Sequence, residues 1–169
     1  GKELGRSAVL SAVIAILLML VYISFRFEFW SGIASITALT HDVLMVLSIY
    51  AIFNLPINTT FIAAILTIVG YSINATIVIF DRIRENDRFA KKTPFGEIVD
   101  KSIMQSMTRS VNTSLTTLLS ILVLYIMGVD SIKQFALPII IGIVVGTYSS
   151  VTIAGPMWHT LKGGNKATK

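Results

Sequence analysis

The sequence predicts an all-α membrane protein, a bundle of five transmembrane helices, and three observations carry that prediction. Of 169 residues, 54% are apolar and the mean hydropathy is +0.77. Only 14% are charged, where a soluble chain of this size carries about 25%. The apolar residues also fall into five runs, each of a length that crosses a hydrocarbon core of roughly 30 Å. Finally, the charges gather at the ends of those runs, where they act as topology signals.

Residues 7–25 form the first run, apolar all round, with Ala8, Ala12 and Ala15 along one side. Arg26 and Glu28 make a short turn. The second run, 29–53, is long enough to tilt or to overhang into the headgroups. Phe25, Phe27, Phe29 and Trp30 cluster at that turn as an interfacial aromatic belt. Asn54 to Asn58 is a tight turn around Pro56. The third run, 59–80, is the organising one: it carries no charged side chain, and it ends abruptly in Asp81, Arg82, Arg84, Glu85, Asp87 and Arg88. A helix must leave the bilayer there. The fourth run is 108–127 and the fifth 135–158, leaving a basic tail, 162–169, after a bundle spanning 1–161.

The long connection, 81–107, is itself patterned. Thr93-Pro94 offers a cap with proline at the first helical position. Phe95, Ile98, Val99, Ser102 and Ile103 then follow helical spacing, with Glu97 and Lys101 as an i,i+4 pair. This predicts an amphipathic surface helix that continues into the fourth span.

Orientation follows from counting Lys and Arg. With five crossings, one side receives eleven of the 14 basic residues, including Arg26, the connection and the tail. The other side receives Lys2, Arg6 and Lys133. The positive-inside rule puts the C-terminus in the cytoplasm and the N-terminus outside. An N-terminus outside, and a start at Gly1-Lys2, predict a piece of a longer protein with a helix upstream. The net charge of +5 does not indicate nucleic acid, because no basic stripe is interleaved with aromatics. Without cysteine, disulfide and thiolate chemistry are excluded. No metal, nucleophile-elbow or phosphate-loop motif is present, so the sequence indicates neither an enzyme nor a cofactor.

Polar groups within the runs are the functional candidates. His41 and Asp42 lie mid-way along the second, where an aspartate costs roughly 2.5–3.5 kcal/mol to insert and must face protein or water. They read either as a proton-handling pair or as a hydrogen bond that fixes packing. In the third run Ala63, Thr67, Gly70 and Asn74 share one face, suited to close helix packing or to a water-lined path. Arg109, Thr113, Thr116 and Ser120, with Asn112 beside them, make a similar stripe in the fourth. Arg109 either snorkels to the cytoplasmic surface or faces Asp42 or Asn74 across the bundle. Gly142, Gly146 and Ser150 give the fifth run a face for close backbone contact.

The run GYSINATIVIFDRIREN at 70–86, the HDV at 41–43, TRSVNTSLTTLLSILVLYIMG at 108–128 and IGIVVGTYSS at 141–150 together resemble the SecD/SecF family of bacterial protein translocase subunits, on the SecF side. The matching motif residues are His41, Gly70, Asp81, Arg82, Arg84, Glu85 and Asn86. The resemblance implies one half of an RND-type transporter fold in the cytoplasmic membrane, lacking a first helix and its extracytoplasmic domain. It implies SecD and the SecYEG channel as partners, preproteins as substrate, membrane lipids as surroundings, and coupling to the proton-motive force. One position departs: where many members follow Asn74 with an aspartate implied to carry protons, this chain has Ala75. Protons then use another group such as Asp42, or this route is not proton-driven, or the position was engineered. By resemblance Arg109 and Thr113 match the family's polar partners on the neighbouring helix, and we expect Asp42, Asn74, Arg109 and Thr113 to face one another at the interface with a SecD partner. A small independent transporter is disfavoured because no internal repeat or pair of broken helices is found; a purely structural subunit is the other alternative.

Overall fold

The computed structural model describes residues 2–90 and 93–163 and contains six α-helices with no strand among them. They are α1 (Lys2–Arg26), α2 (Phe29–Ile52), α3 (Thr59–Phe89), α4 (Phe95–Met127), α5 (Asp130–Ser149) and α6 (Gly155–Gly163), with a π-helical turn at Ser150–Ala154 joining the last two. Phe29–Ile52, Thr59–Phe89, Phe95–Met127 and the continuous Asp130–Gly163 are long and apolar enough to cross a membrane. In α1 the apolar stretch so distinguished is the shorter Val13–Arg26.

Local chemistry sets the helix starts. Asn58 Oδ1 accepts the Phe61 N–H at 2.9 Å, satisfying one of the free donors at the start of α3. Its amide also reaches Gln134 at 2.6 Å, tying the α2–α3 turn to the start of α5 at one end of the bundle. Asn54, in that turn, has φ 49°, a left-handed conformation that asparagine tolerates better than other L-residues.

Helix α5 fits into the bundle because its face is small. A Cβ added at Gly142 would run into Cγ1 of Ile68 and stand 2.6 Å from its Cδ1, so α3 and α5 touch almost backbone to side chain. At Gly146 the same addition would lie 3.3 Å from Ser72 Cβ. Gly142, Gly146 and Ser150 are all buried, so the close-contact face expected of the fifth run packs against α3.

The charged end is a second core, and the run DRIREN organises it by sending successive side chains to different helices. Asp81 pairs with Arg26 at 3.4 Å, and Arg84 donates to the Arg26 carbonyl at 2.9 Å, fastening the end of α1. Arg82 Nε donates to Gln105 at 2.8 Å, and Asn86 reaches Ser102 at 2.8 Å and Gln105 at 2.9 Å, fastening α4. Glu85 pairs with Arg82. Between them Phe80 and Ile83 point inward against Ile98, Val99, Ile103 and Trp158.

Four expectations change. The connection placed at 81–107 is largely helical, since the third helix runs on through the charge burst to Phe89, where those charges find partners on α1 and α4. The fourth begins at Phe95 with Pro94 as the flanking residue, so Thr93 is not its cap. Glu97 and Lys101 are not among the ion pairs of the described residues. The fifth span is interrupted at Ser150–Ala154. Pro156 has no N–H to give the Thr152 carbonyl, and the widened turn directly before it absorbs the missing rung.

The basic tail also starts later than expected. Lys162 is helical and its side chain only 14% exposed, with Nζ 3.1 Å from Glu28 and 3.4 Å from Asp87. It lies 4.4 Å above the Phe95 ring, a cation held by two carboxylates and an aromatic face. The remainder of the expected tail, 164–169, lies outside the described residues.

Candidate functional site: a polar cleft on the outward face of α3 and α4

Ala63, Thr67, Gly70 and Asn74 all lie exposed on one face of α3. Gly70 is open among the described residues: a Cβ there would meet no atom within 4 Å. On α4, Arg109, Asn112, Thr113, Thr116 and Ser120 are likewise exposed. The Thr and Ser hydroxyls of this stripe bond back to their own helix, Thr113 to the Arg109 carbonyl at 2.8 Å and Ser120 to that of Thr116 at 3.0 Å. These bonds satisfy the hydroxyls without partners from elsewhere.

The two stripes meet in a cleft of about 110 Å³ lined by Asn74, Ala75, Arg109, Ser110 and Thr113 among others. Val78 lies on its wall one turn beyond Asn74, so Arg109 sits level with the apolar part of α3. Beneath the cleft Tyr71 donates to Ser114 at 3.0 Å, and Thr147 of α5 lies 2.6 Å from the same hydroxyl. This three-helix link fixes the floor of the cleft.

Asp42 is elsewhere. It is fully buried between α2, α3 and α5, accepting a hydrogen bond from Ser72 Oγ at 2.5 Å, with His41 Nδ1 3.1 Å from its other oxygen. Ser72 and Asn74 are two residues apart on α3, about 200° around the helix. A carboxylate that touches Ser72 therefore lies on the opposite side from the cleft. The expected four-residue constellation is thus corrected: Asn74, Arg109 and Thr113 share one cleft, and Asp42 makes a separate buried site. His41 is half-exposed on the outer surface of α2, in a shallow groove with Thr37, Thr40 and Ser48. The motif residues Asp81, Arg82, Arg84, Glu85 and Asn86 belong to the charged-end clamp, which begins about one turn beyond Val78 on the cleft wall.

Sequence reasoning missed Ser72, Ser110 and Ser114. Ser110 and Ser114 are four apart, one step round from the Arg109–Thr113 stripe, and that spacing was available. Ser72 had no such mark, since only the packing of α2 on α3 selects it as the partner of Asp42.

Comparison with known proteins gives the family. The profile of the family described as "Protein export membrane protein SecD/SecF, C-terminal" matches residues 1–164. The chain belongs to this family. It is 45% identical over 170 residues to the protein translocase subunit SecF of Sebaldella termitidis, covering all of this chain and 55% of that one. It is 45% identical to the protein translocase subunit SecDF of Thermus thermophilus, covering 23% of that longer chain. A crystal structure of SecDF in a super-membrane-facing form superposes with TM-score 0.92 at 46% identity, over 99% of this chain and 23% of that one. The chain therefore spans about half the length of a SecF relative and about a quarter of a SecDF. It is a SecD/SecF-family membrane protein of several crossings, all-α, with the fold of that segment of SecDF.

Proposed function

We propose that this chain is the membrane-embedded SecF half of an accessory complex. With SecD it promotes preprotein export through the SecYEG channel across the bacterial cytoplasmic membrane, drawing on the proton-motive force. It crosses the membrane five times, N-terminus outside and C-terminus in the cytoplasm. The gathering of Arg26, Asp81 and Lys162 at one end of the bundle, with Asn58 and Gln134 at the other, supports alternating crossings.

One observation carries the reading: the exposed Asn74–Arg109–Thr113 face. Hydrophilic side chains at membrane depth, arginine above all, are covered by protein or water rather than lipid. Among the described residues these three stay exposed. Small residues beside them, with Gly70 open, suit a second helix lying close against α3. The SecDF relatives, whose name joins SecD to SecF, support SecD as that cover. In this reading the seam binds the partner, and Asp42, the one buried carboxylate among the described residues, is the group on this half available to protons. Co-expression with the SecD of the same cell tests it. A complex that survives detergent extraction and size exclusion is expected, and separation of the two chains under mild extraction contradicts it.

A further inference from the structure

We propose that Asp42 exchanges its proton with one side of the membrane only, through the charged end of the bundle. The proposal rests on the reading of Asp42 as the proton-bearing group of this half, and adds the side from which that group is reached. Its basis lies wholly inside the packing of α2, α3 and α5, in what is buried on either side of the carboxylate.

Asp42 sits where three helices meet. Ser72 of α3 donates to its Oδ2, and a Cβ added at Gly146 of α5 would lie 3.5 Å from the same oxygen. From that level each helix can be followed both ways. Toward the charged end all three bury hydroxyls: Thr76 one turn from Ser72, Ser149 and Ser150 one turn from Gly146, Ser35 and Ser31 two and three turns from Asp42. None of the five is more than 2% exposed. The π-helical turn that begins at Ser150 packs on both α2 and α3, which brings the three sets together. Between them Ala34, Ala38 and Ala154 are small. The line ends at Ser31, whose Oγ accepts the Glu28 N–H at 3.1 Å, and Glu28 is half-exposed at the surface.

Toward the Asn58 end the same three faces are aliphatic. Val46, Ile68 and Ile143 stand one turn from the carboxylate, with Ala64 and Ile139 a turn further, all in one buried cluster. A proton crosses protein on oxygen atoms, each accepting one proton and releasing another, so that none is consumed. The O–H bond made on Asp42 is matched by one broken on a hydronium at the surface. Ser35, Ser149 and Ser150 donate to carbonyls of their own helices, which leaves their oxygens able to accept. An aliphatic layer has no such atoms, and a charge enters it only at high cost.

A second observation marks water at the charged end. Trp158 continues the line Ser150, Ala154 at a step of four and packs in the cluster that holds Ala34 and Ala38. It is 2% exposed, and its indole N–H is buried without an acceptor among the described residues. An ordered water is the usual partner of such a group. The titratable neighbour of Asp42 is His41; α3 and α5 turn only Ser72, Thr76, Gly146 and Ser149 toward it among the described residues. His41 leads sideways, to a groove walled by Ile36, Leu44 and Met45 mid-way along α2, and not to either end.

Infrared difference spectroscopy on the full chain in vesicles tests this with the proton alone as the probe. The Asp42 carboxyl band is assigned by its loss in Asp42→Asn. Orientation is read in Lys101→Cys, at the charged end, with a maleimide that does not cross membranes. A pH jump in the outer medium should shift the band at once in vesicles whose charged end faces that medium. In the opposite orientation the shift should come roughly tenfold later or more, because the aliphatic layer lies in the way. Thr76→Val, which removes a hydroxyl and keeps the shape, should slow the charged-side response about fivefold, the worth of one hydrogen bond. His41→Gln should leave the sidedness unchanged. An equal response from both sides, or a faster one from the Asn58 end, overturns the proposal and leaves Asp42 standing as a proton carrier. Loss of sidedness in His41→Gln, or an unchanged rate in Thr76→Val, overturns the route through the hydroxyls. A carboxyl that answers from neither side overturns the proposal and the reading beneath it.

Discussion

Arg109→Ala should leave the bundle folded and sever the contact proposed with SecD. Among the described residues the guanidinium makes no ion pair or hydrogen bond, so truncating it should change stability by no more than about 0.5 kcal/mol, as at other surface positions. Across an interface the same side chain is of the type that dominates binding, where truncation costs about 2 kcal/mol or more, roughly a thirtyfold loss of association. Melting of the isolated chain, pull-down of SecD and export of a preprotein reporter read the two effects separately. An unchanged melt with both association and export lost is expected. Unfolding would instead make Arg109 a residue of the bundle's own packing.

Gly142→Val should be the most damaging single substitution within the chain. The added side chain enters space already filled by Ile68, which is 1% exposed, and α5 is held against α3 by its further packing on α2 and α4. Overpacking of this kind costs typically 1–3 kcal/mol, and a contact this close belongs at the upper end. Thermal melting in detergent should show the loss, and Ile68→Ala in the Gly142→Val background should recover part of it. That recovery is the sign of two residues sharing one space. Equal melting of Gly142→Val and wild type would mean that α3 and α5 do not pack through this pair.

What the sequence made legible follows from which forces are local. Hydropathy and charge placement are properties of single segments, so the long apolar helices and their charged ends could be read directly. So could the small faces of α3 and α5, because a spacing of three or four residues fixes a helix face without knowledge of its neighbour. Which face meets which neighbour is not local. Gly142 and Gly70 look alike in the sequence, yet one is pressed against Ile68 and the other open. Asp42 looked like a member of the Asn74–Arg109 group because all are polar groups within the apolar runs, and only the 200° between Ser72 and Asn74 separates them. The helical course of the DRIREN run was hidden for a related reason, since its charges are satisfied by Arg26, Gln105 and Ser102, which lie far away in the chain.

The absence of cysteine from this chain makes site-specific cross-linking clean. Cysteines introduced singly at Gly70, at Thr113 and at the outward-facing Leu18 of α1 can be probed in native membranes containing SecD. Covalent products with SecD from Gly70 and Thr113, and none from Leu18, are predicted. Labelling of Gly70 and Thr113 by a lipid-phase thiol reagent as readily as Leu18, with no SecD product, would contradict the claim that this hydrophilic face is where the chain joins its partner.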